Sequence, residues 1–382
     1  RGLEELRIKL GCVQPGEAPA TFGDALRRMS EQLTYLYGNE RRYWFDTHPS
    51  VNREASDRAE DLLRRPEEVD QEIINRLRVR QKPGDFAALN IAPASSVDVS
   101  DEMEARLVIL GPAYPHSSRK DYPSPAIDQA SKILNEKGTG PRIYRNTLVF
   151  AAPDRERLQE LQHAVRQLLA WRSIEKDTDT LNLDTFQRQQ VKDGIKRSED
   201  IVASRMNETF IWLLVPVQER PAEAAITWTS YRINGSEKET LPERASRKLV
   251  SDEQLITRWS PARLRMELDR LLWKDAPHIS IKKLWEYLCT YLYLPRLANE
   301  NVLVRAISEG LHSIDYFAYA DRVDDNGKYL GLVFGEGRSS IINDGHSLLV
   351  KPKVAEEARR KASGVEGPAG GDEGKNGGTQ EG

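Results

Sequence analysis

Two unbroken apolar runs constrain this chain most: Leu107 to Leu110 within "ARLVILGP" (105–112) and Leu148 to Ala152 within "TLVFAAPD" (147–154). Each is too short to span a membrane, where ~20 apolar residues are needed. Each is also too continuous for a strand with one wet face. The first run is followed by a helical pattern that starts at Ser124-Pro125 and stops at Gly138. Pro suits the first helical position because its missing N–H has no partner there. The second run ends at Asp154, a good N-cap, before Leu158, Leu161, Val165, Leu168 and Leu169 recur at helical spacing. Strand, helix, strand, helix over 105–173 predicts a parallel, helix-covered sheet and an α/β fold. Ligands of such sheets gather at the carboxyl ends of the strands, which here include the loop 111–125.

On either side the pattern extends this plan. Residues 21–37 read as a helix with an apolar stripe through Ala25, Leu26, Met29, Leu33 and Leu36. "RRYWFD" (41–46) reads as a short strand or turn, and two charged helices follow, divided at Pro66. Residues 85–92 read as a strand, 180–208 as a second long helix and 210–217 as a further apolar strand. These elements make a first unit over 1–220. In 221–352, "AITWTSYRI" reads as a strand, and Ser251 with Gln254 reads as the start of a short helix. Helices are predicted at about 260–272, 279–292 and 299–310. Residues 315–335 then give two strands joined through Asp325-Asn326-Gly327, a strong hairpin signal. Three helices followed by a hairpin is the order of a winged-helix-like α+β unit. The Gly-rich, charged stretch 353–382 reads as disordered.

The net charge of −3 argues against a dedicated nucleic-acid coat protein but leaves room for a local basic patch. Cys12 and Cys289 form no metal or redox spacing, and their use fits a reducing, cytoplasmic setting. There is no G-x-x-x-x-G-K-[ST], H-E-x-x-H or G-x-S-x-G.

The segment "PRIYRNTLVFAAPD" (141–154) loads a strand entrance with Arg142, Arg145 and Asn146. A guanidinium is always charged and forks onto phosphate oxygens, so either arginine could serve a phosphoryl-transfer site. The alternative is that both cap the preceding helix and pair with surface carboxylates. His116 follows strand 105–111 and, with Asn146, is a candidate contact to a bound nucleotide; a solvated loop is the alternative. In 260–310, eight Lys/Arg against six Asp/Glu give a slight positive excess. If the winged-helix-like unit meets DNA, Lys282, Lys283 and Lys328 are the candidate phosphate contacts.

Several longer blocks resemble one family. They are "FGDALRRMSEQLTYLYGNERRYWFDTHPSVNREASDRAEDL", "PRIYRNTLVFAAPD", "LLAWRSI" with "LNL", "WLLVPVQ" and "LWEYLCTYLYLPRLANENVLVRAISEG". The family is that of large AAA+-type ATPases found beside methyltransferases and helicases in phage-defence islands, similar to the ATPase components of phage-growth-limitation and BREX-type systems. The resemblance covers roughly residues 15–350. It implies the distal part of an ATPase core with a helical lid (1–220), with the Walker segments, ATP and Mg2+ upstream of Arg1. It also implies Arg142 or Arg145 as a finger reaching a neighbouring subunit of a homo-oligomer. DNA and a methyltransferase or helicase are the partners it suggests, with no membrane. The fragment alone is expected not to turn over ATP. The other reading is a non-catalytic protein- or DNA-binding scaffold in a defence or restriction-modification complex.

Overall fold

A computed structural model describes residues 2–362 apart from 40, 46–49, 80–81, 120–121, 222–224, 237 and 339. The chain opens with β1 (Leu3–Glu4), α1 (Glu5–Cys12), α2 (Pro19–Gln32), β2 (Leu36–Asn39) and β3 (Arg42–Phe45). These strands form a small antiparallel sheet in the order β1-β3-β2. The stripe expected to keep 21–37 helical breaks at Leu33, and Leu36 pairs with Phe45 in that sheet instead. Helices α3 (Val51–Asp61) and α4 (Pro66–Arg78) follow. The Ser50 side chain caps the first. Val69, Ile73 and Leu77, each four residues apart, form the buried stripe of the second.

The central sheet contains β4 (Ala88–Ile91), β5 (Arg106–Ile109), β8 (Leu148–Pro153), β9 (Phe210–Val217) and β10 (Thr227–Arg232), in the order β10-β9-β8-β5-β4. The pairs β4–β5 and β5–β8 are parallel, whereas β9 runs against both β8 and β10. Every residue of β5 and β8 is buried, as their continuous apolar runs require. Between β5 and β8 lies α5 (Pro125–Asn135), capped by Ser124, and then the tight hairpin of β6 (Glu136–Lys137) and β7 (Gly140–Pro141). Between β8 and β9 stand α6 (Arg155–Lys176) and α7 (Thr185–Thr209). They approach closely where Gly194 faces Trp171. A Cβ there would lie 2.6 Å from the indole. The α/β class expected from the sequence holds. Both sides of β5, β8 and β9 are hydrogen-bonded, so a strand from elsewhere could join this sheet only at the β4 or β10 edge.

The remaining elements are α8 (Leu241–Ser251), α9 (Pro261–Glu267), β11 (His278–Ser280), α10 (Ile281–Thr290) and α11 (Glu300–Gly310), then β12 (Ala318–Ala320), β13 (Arg322–Val323), β14 (Tyr329–Leu330), β15 (Leu348–Val350) and α12 (Pro352–Ala362). A π-type turn, Leu268–Leu272, extends α9. Strands β11, β15 and β12 form an antiparallel sheet with β15 in the middle, and β13–β14 is a separate hairpin turning at 324–328.

Three expectations need correction. Ser251 ends a helix instead of starting one, because Thr240 and Glu243 make a capping box that starts eleven residues earlier. The first unit does not stop at residue 220: β10 is bonded to β9 along six residue pairs, and one apolar core runs from Leu62 through the central sheet to Leu349. Order also continues past residue 353, where α12 seats Ala355 against Ala318, Leu348 and Val350. Residues 363–382, the rest of the expected disordered stretch, lie outside the described residues.

Candidate functional site

The charged entrance to β8 is where the sequence places its most distinctive residues, and the structure assigns them separate tasks. Arg142 turns inward, with its side chain 0% exposed. Nε donates to the Ile133 carbonyl at 2.7 Å, Nη1 to Ser100 at 2.9 Å, and Nη2 to Val99 at 2.9 Å and Ser96 at 3.3 Å. These carbonyls belong to the last turn of α5 and to the β4–β5 connection. Arg142 therefore ties that connection to α5. Asp101 supports the same corner by accepting the Ile143 and Tyr144 N–H groups. Burial lowers the Arg142 pKa, and Asp101 opposes that shift. The expected catalytic role of Arg142 is corrected on this geometry: its donors are used inside its own chain. Arg145 is half-exposed, and its guanidinium meets no hydrogen-bond or ionic partner among the described residues.

Asn146, expected near a nucleotide, is 1% exposed and faces the second half of the chain. Its Nδ2 donates to the carbonyls of Leu288 (2.8 Å) and Leu294 (3.1 Å). Arg296 answers from the other side. Its Nε donates to the Asn146 carbonyl at 2.7 Å, while Nη1 reaches Gln254 and Nη2 reaches Pro216. Full burial lowers the Arg296 pKa to about 10. Asn146 and Arg296 thus lock the central sheet to the α10–α11 connection. Sequence reading missed Arg296, which stands in an apolar stretch where only its improbable location signals a buried role.

His116 lies at the opposite end of β8. Its backbone N–H donates to the Pro153 carbonyl, whereas Arg145 precedes Leu148. Six strand residues rise ~20 Å, so His116 and the arginines do not share a site. The imidazole is 4% exposed and bridges two hydroxyls, Ser124 Oγ at 2.8 Å and Ser230 Oγ at 3.1 Å. It meets Trp212 edge-on, and the Trp212 indole N–H donates to Asp154. Burial lowers the His116 pKa, opposed by Asp154. Among the described residues no carboxylate bonds the ring, so the orienting hydrogen bond of a Ser-His-Asp arrangement is missing. Among the described residues no group of three or more His, Cys, Asp or Glu could hold a metal.

Lys282, Lys283 and Lys328 are exposed, as a phosphate contact requires. The first two occupy the first turn of α10, which contains no acidic residue and whose N-cap, Ser280, makes no side-chain cap. Ser280 Oγ instead donates to the Gly345 carbonyl. Positive charge at a helix N-terminus opposes the macrodipole by ~0.3–1 kcal/mol. An arriving anion reverses that penalty, because the dipole and both ammonium groups then act together, although the Ile281 N–H is already given to the Ser347 carbonyl. Lys328 sits in the β13–β14 turn, where its N–H bonds Asp324 and Gly327 takes φ 77°. The hairpin is held against β11 by Tyr329, whose hydroxyl lies 3.0 Å from His278 Nδ1. Residues 321–347 contain five acidic and three basic side chains, so the cationic feature is the α10 turn, and Lys328 is a separate charge on the hairpin.

Residues 240–300, from the cap of α8 to the first residue of α11, are similar to a family described as "Probable RNA and SrmB- binding site of polymerase A". No curated protein and no solved structure matches the chain.

Proposed function

We propose that residues 261–350 form a winged-helix-like nucleic-acid-binding unit, anchored on the α/β sheet by Asn146 and Arg296. The observation that carries this reading is the doubly basic first turn of α10, which has no side-chain cap and no acidic residue. It costs helix stability unless a phosphate completes it. Two further features support it. The order helix, strand, helix, helix, strand, hairpin, strand, with β15 between β11 and β12, suits a winged helix. The similarity of residues 240–300 to a described RNA-binding region points to the same class of ligand. Lys282 and Lys283 position a phosphate, Lys328 adds a second contact, and the exposed Asn301 and Arg305 on α11 are available to a groove. Anisotropy titrations with a labelled DNA duplex and a labelled RNA hairpin test this. Lys282→Glu/Lys283→Glu should abolish binding of the preferred ligand while leaving thermal stability unchanged or slightly raised. Wild-type binding to neither ligand, or full binding by the double variant, refutes it.

A second reading follows from the family resemblance: this chain is the distal part of an AAA+-type ATPase, with ATP and Mg2+ held upstream. One observation favours it. Arg145 is half-exposed with no partner among the described residues, as a residue acting on a neighbouring subunit would be. Arg145→Ala in the full-length protein should remove ATP turnover, typically by ~10³-fold or more for a lost finger. Unchanged turnover ends this reading.

A further inference from the structure

A cleft of about 650 Å³ opens between α4, the end of α7, residues 238–241 and the first turn of α8. It lies within the ~300–1,000 Å³ range of small-ligand sites. Leu77, Met206 and Leu241 give it an apolar wall. Arg244 is 2% exposed and lines it, and the exposed Lys238 stands at its rim.

Arg244 differs from the other buried arginines. Arg142 and Arg296 use Nε and both Nη atoms on carbonyls. Arg106 shares an unpartnered buried Nε but has the Glu102 carboxylate as counter-charge. Arg244 uses Nη1 alone, on the carbonyls of Asn234 (2.6 Å) and Asn207 (3.3 Å), and its Nε is buried with no partner. No carboxylate pairs with it among the described residues. A buried guanidinium without a counter-charge is costly, and an idle buried donor adds a further penalty. The other charges of the cleft are already matched. Arg76 and Arg172 share Glu72 and Glu199, and Glu239 pairs with Arg247. Arg244 and Lys238 remain as the cations of the cleft with no ion-pair partner among the described residues, Arg244 feeling the Glu239 charge only beyond ion-pair distance.

We propose that this cleft binds a phosphate monoester with a nucleoside-sized apolar body, the phosphate on Arg244 and Lys238 and the body against Leu77, Met206 and Leu241. Guanidinium and ammonium charge suit the phosphate, and the apolar wall suits a planar base and sugar. The same chemistry could come from a free nucleoside monophosphate or from the 5′-phosphate end of a nucleic acid. This cleft is built from residues other than the α10 lysines, so the two sites fail or stand separately.

Calorimetric titration of the full chain with AMP, adenosine and short oligonucleotides with and without a 5′-phosphate tests the proposal. AMP or the 5′-phosphorylated oligonucleotide should bind, and loss of its phosphate should weaken binding at least 10-fold. Arg244→Gln should do the same. Because Arg244→Gln also disturbs the Asn207 and Asn234 contacts, Lys238→Glu serves as the surface variant: binding should fall several-fold with no change in melting temperature. Binding by the free mononucleotide names that source, and binding by the phosphorylated oligonucleotide alone names the nucleic-acid end. Failure of both to bind overturns the proposal, as does binding unaffected by Lys238→Glu.

Discussion

Replacing Arg142 separates a buried tie from a surface cation within one four-residue stretch. Arg142→Ala removes donors from the carbonyls of Ile133, Ser96, Val99 and Ser100. A hydrogen bond to a charged group contributes ~1.5–3 kcal/mol, but the bonds of one side chain are not additive. Four carbonyls at the α5 corner lose their common donor, and a loss of ~4 kcal/mol is expected, in the range for breaking a buried charged contact. At a urea m-value of ~3 kcal/mol/M, the unfolding midpoint falls by roughly 1 M. Arg142→Lys should not rescue it, since one ammonium cannot span carbonyls that a planar fork reaches. Arg145→Ala, three residues on, should stay within ~0.5 kcal/mol of wild type, as surface changes do. Urea titrations followed by tryptophan fluorescence and far-UV dichroism measure both variants. An Arg142→Ala midpoint equal to wild type, or equal losses for the two variants, would refute the assignment of Arg142 as an internal tie.

Other outcomes follow from the same geometry. Asn146→Ala strands the carbonyls of Leu288 and Leu294 and should cost ~2–4 kcal/mol by chemical denaturation, and a loss under ~0.5 would contradict the lock. For His116 and His278 burial lowers the folded pKa below the unfolded value of ~6.5, so the unfolded chain binds more protons in acid. Their contribution is full above the unfolded pKa and is lost as pH falls through the folded one. Denaturation at several pH values should show less acid sensitivity in His116→Gln, and equal sensitivity would contradict the buried neutral ring. Ending the chain after Ala362 should leave the melting temperature unchanged. Ending it after Lys351 should lower it, because Ala355 leaves the packing of β12 and β15. Equal melting temperatures would contradict the docking of α12.

The local signals were legible where chain neighbours decide the structure. The continuous runs of β5, β8 and β9, the Ser124-Pro125 start of α5 and the Asp154 cap all depend on residues within one turn or strand. The missed helix α8 carries an equally local signal, Thr240 with Glu243 and Pro242. It was hidden because Ser251 and Gln254 offered a competing box. Arg142 and Asn146 were misplaced for a different reason. Their partners lie about 40 and 145 residues away, and a polar side chain at a strand entrance looks alike whether it faces water or carbonyls brought by the fold. The exposure of the α10 lysines could be read from sequence because exposed charge needs no distant partner. Their lack of a cap and of an opposing acid becomes visible only with the helix start fixed at Ile281.

The salt dependence of nucleic-acid binding tests the central claim most directly. If Lys282, Lys283 and Lys328 neutralise about three phosphates, log K should fall against log salt with a slope of about −2.7 for a duplex. Between ~50 and ~200 mM salt, affinity should then drop ~40-fold. Lys282→Ala/Lys283→Ala should flatten the slope to about −0.9 while the chain remains folded. A slope unchanged by the double substitution would show that phosphates bind elsewhere, and the absence of binding at low salt would contradict the nucleic-acid-binding account altogether.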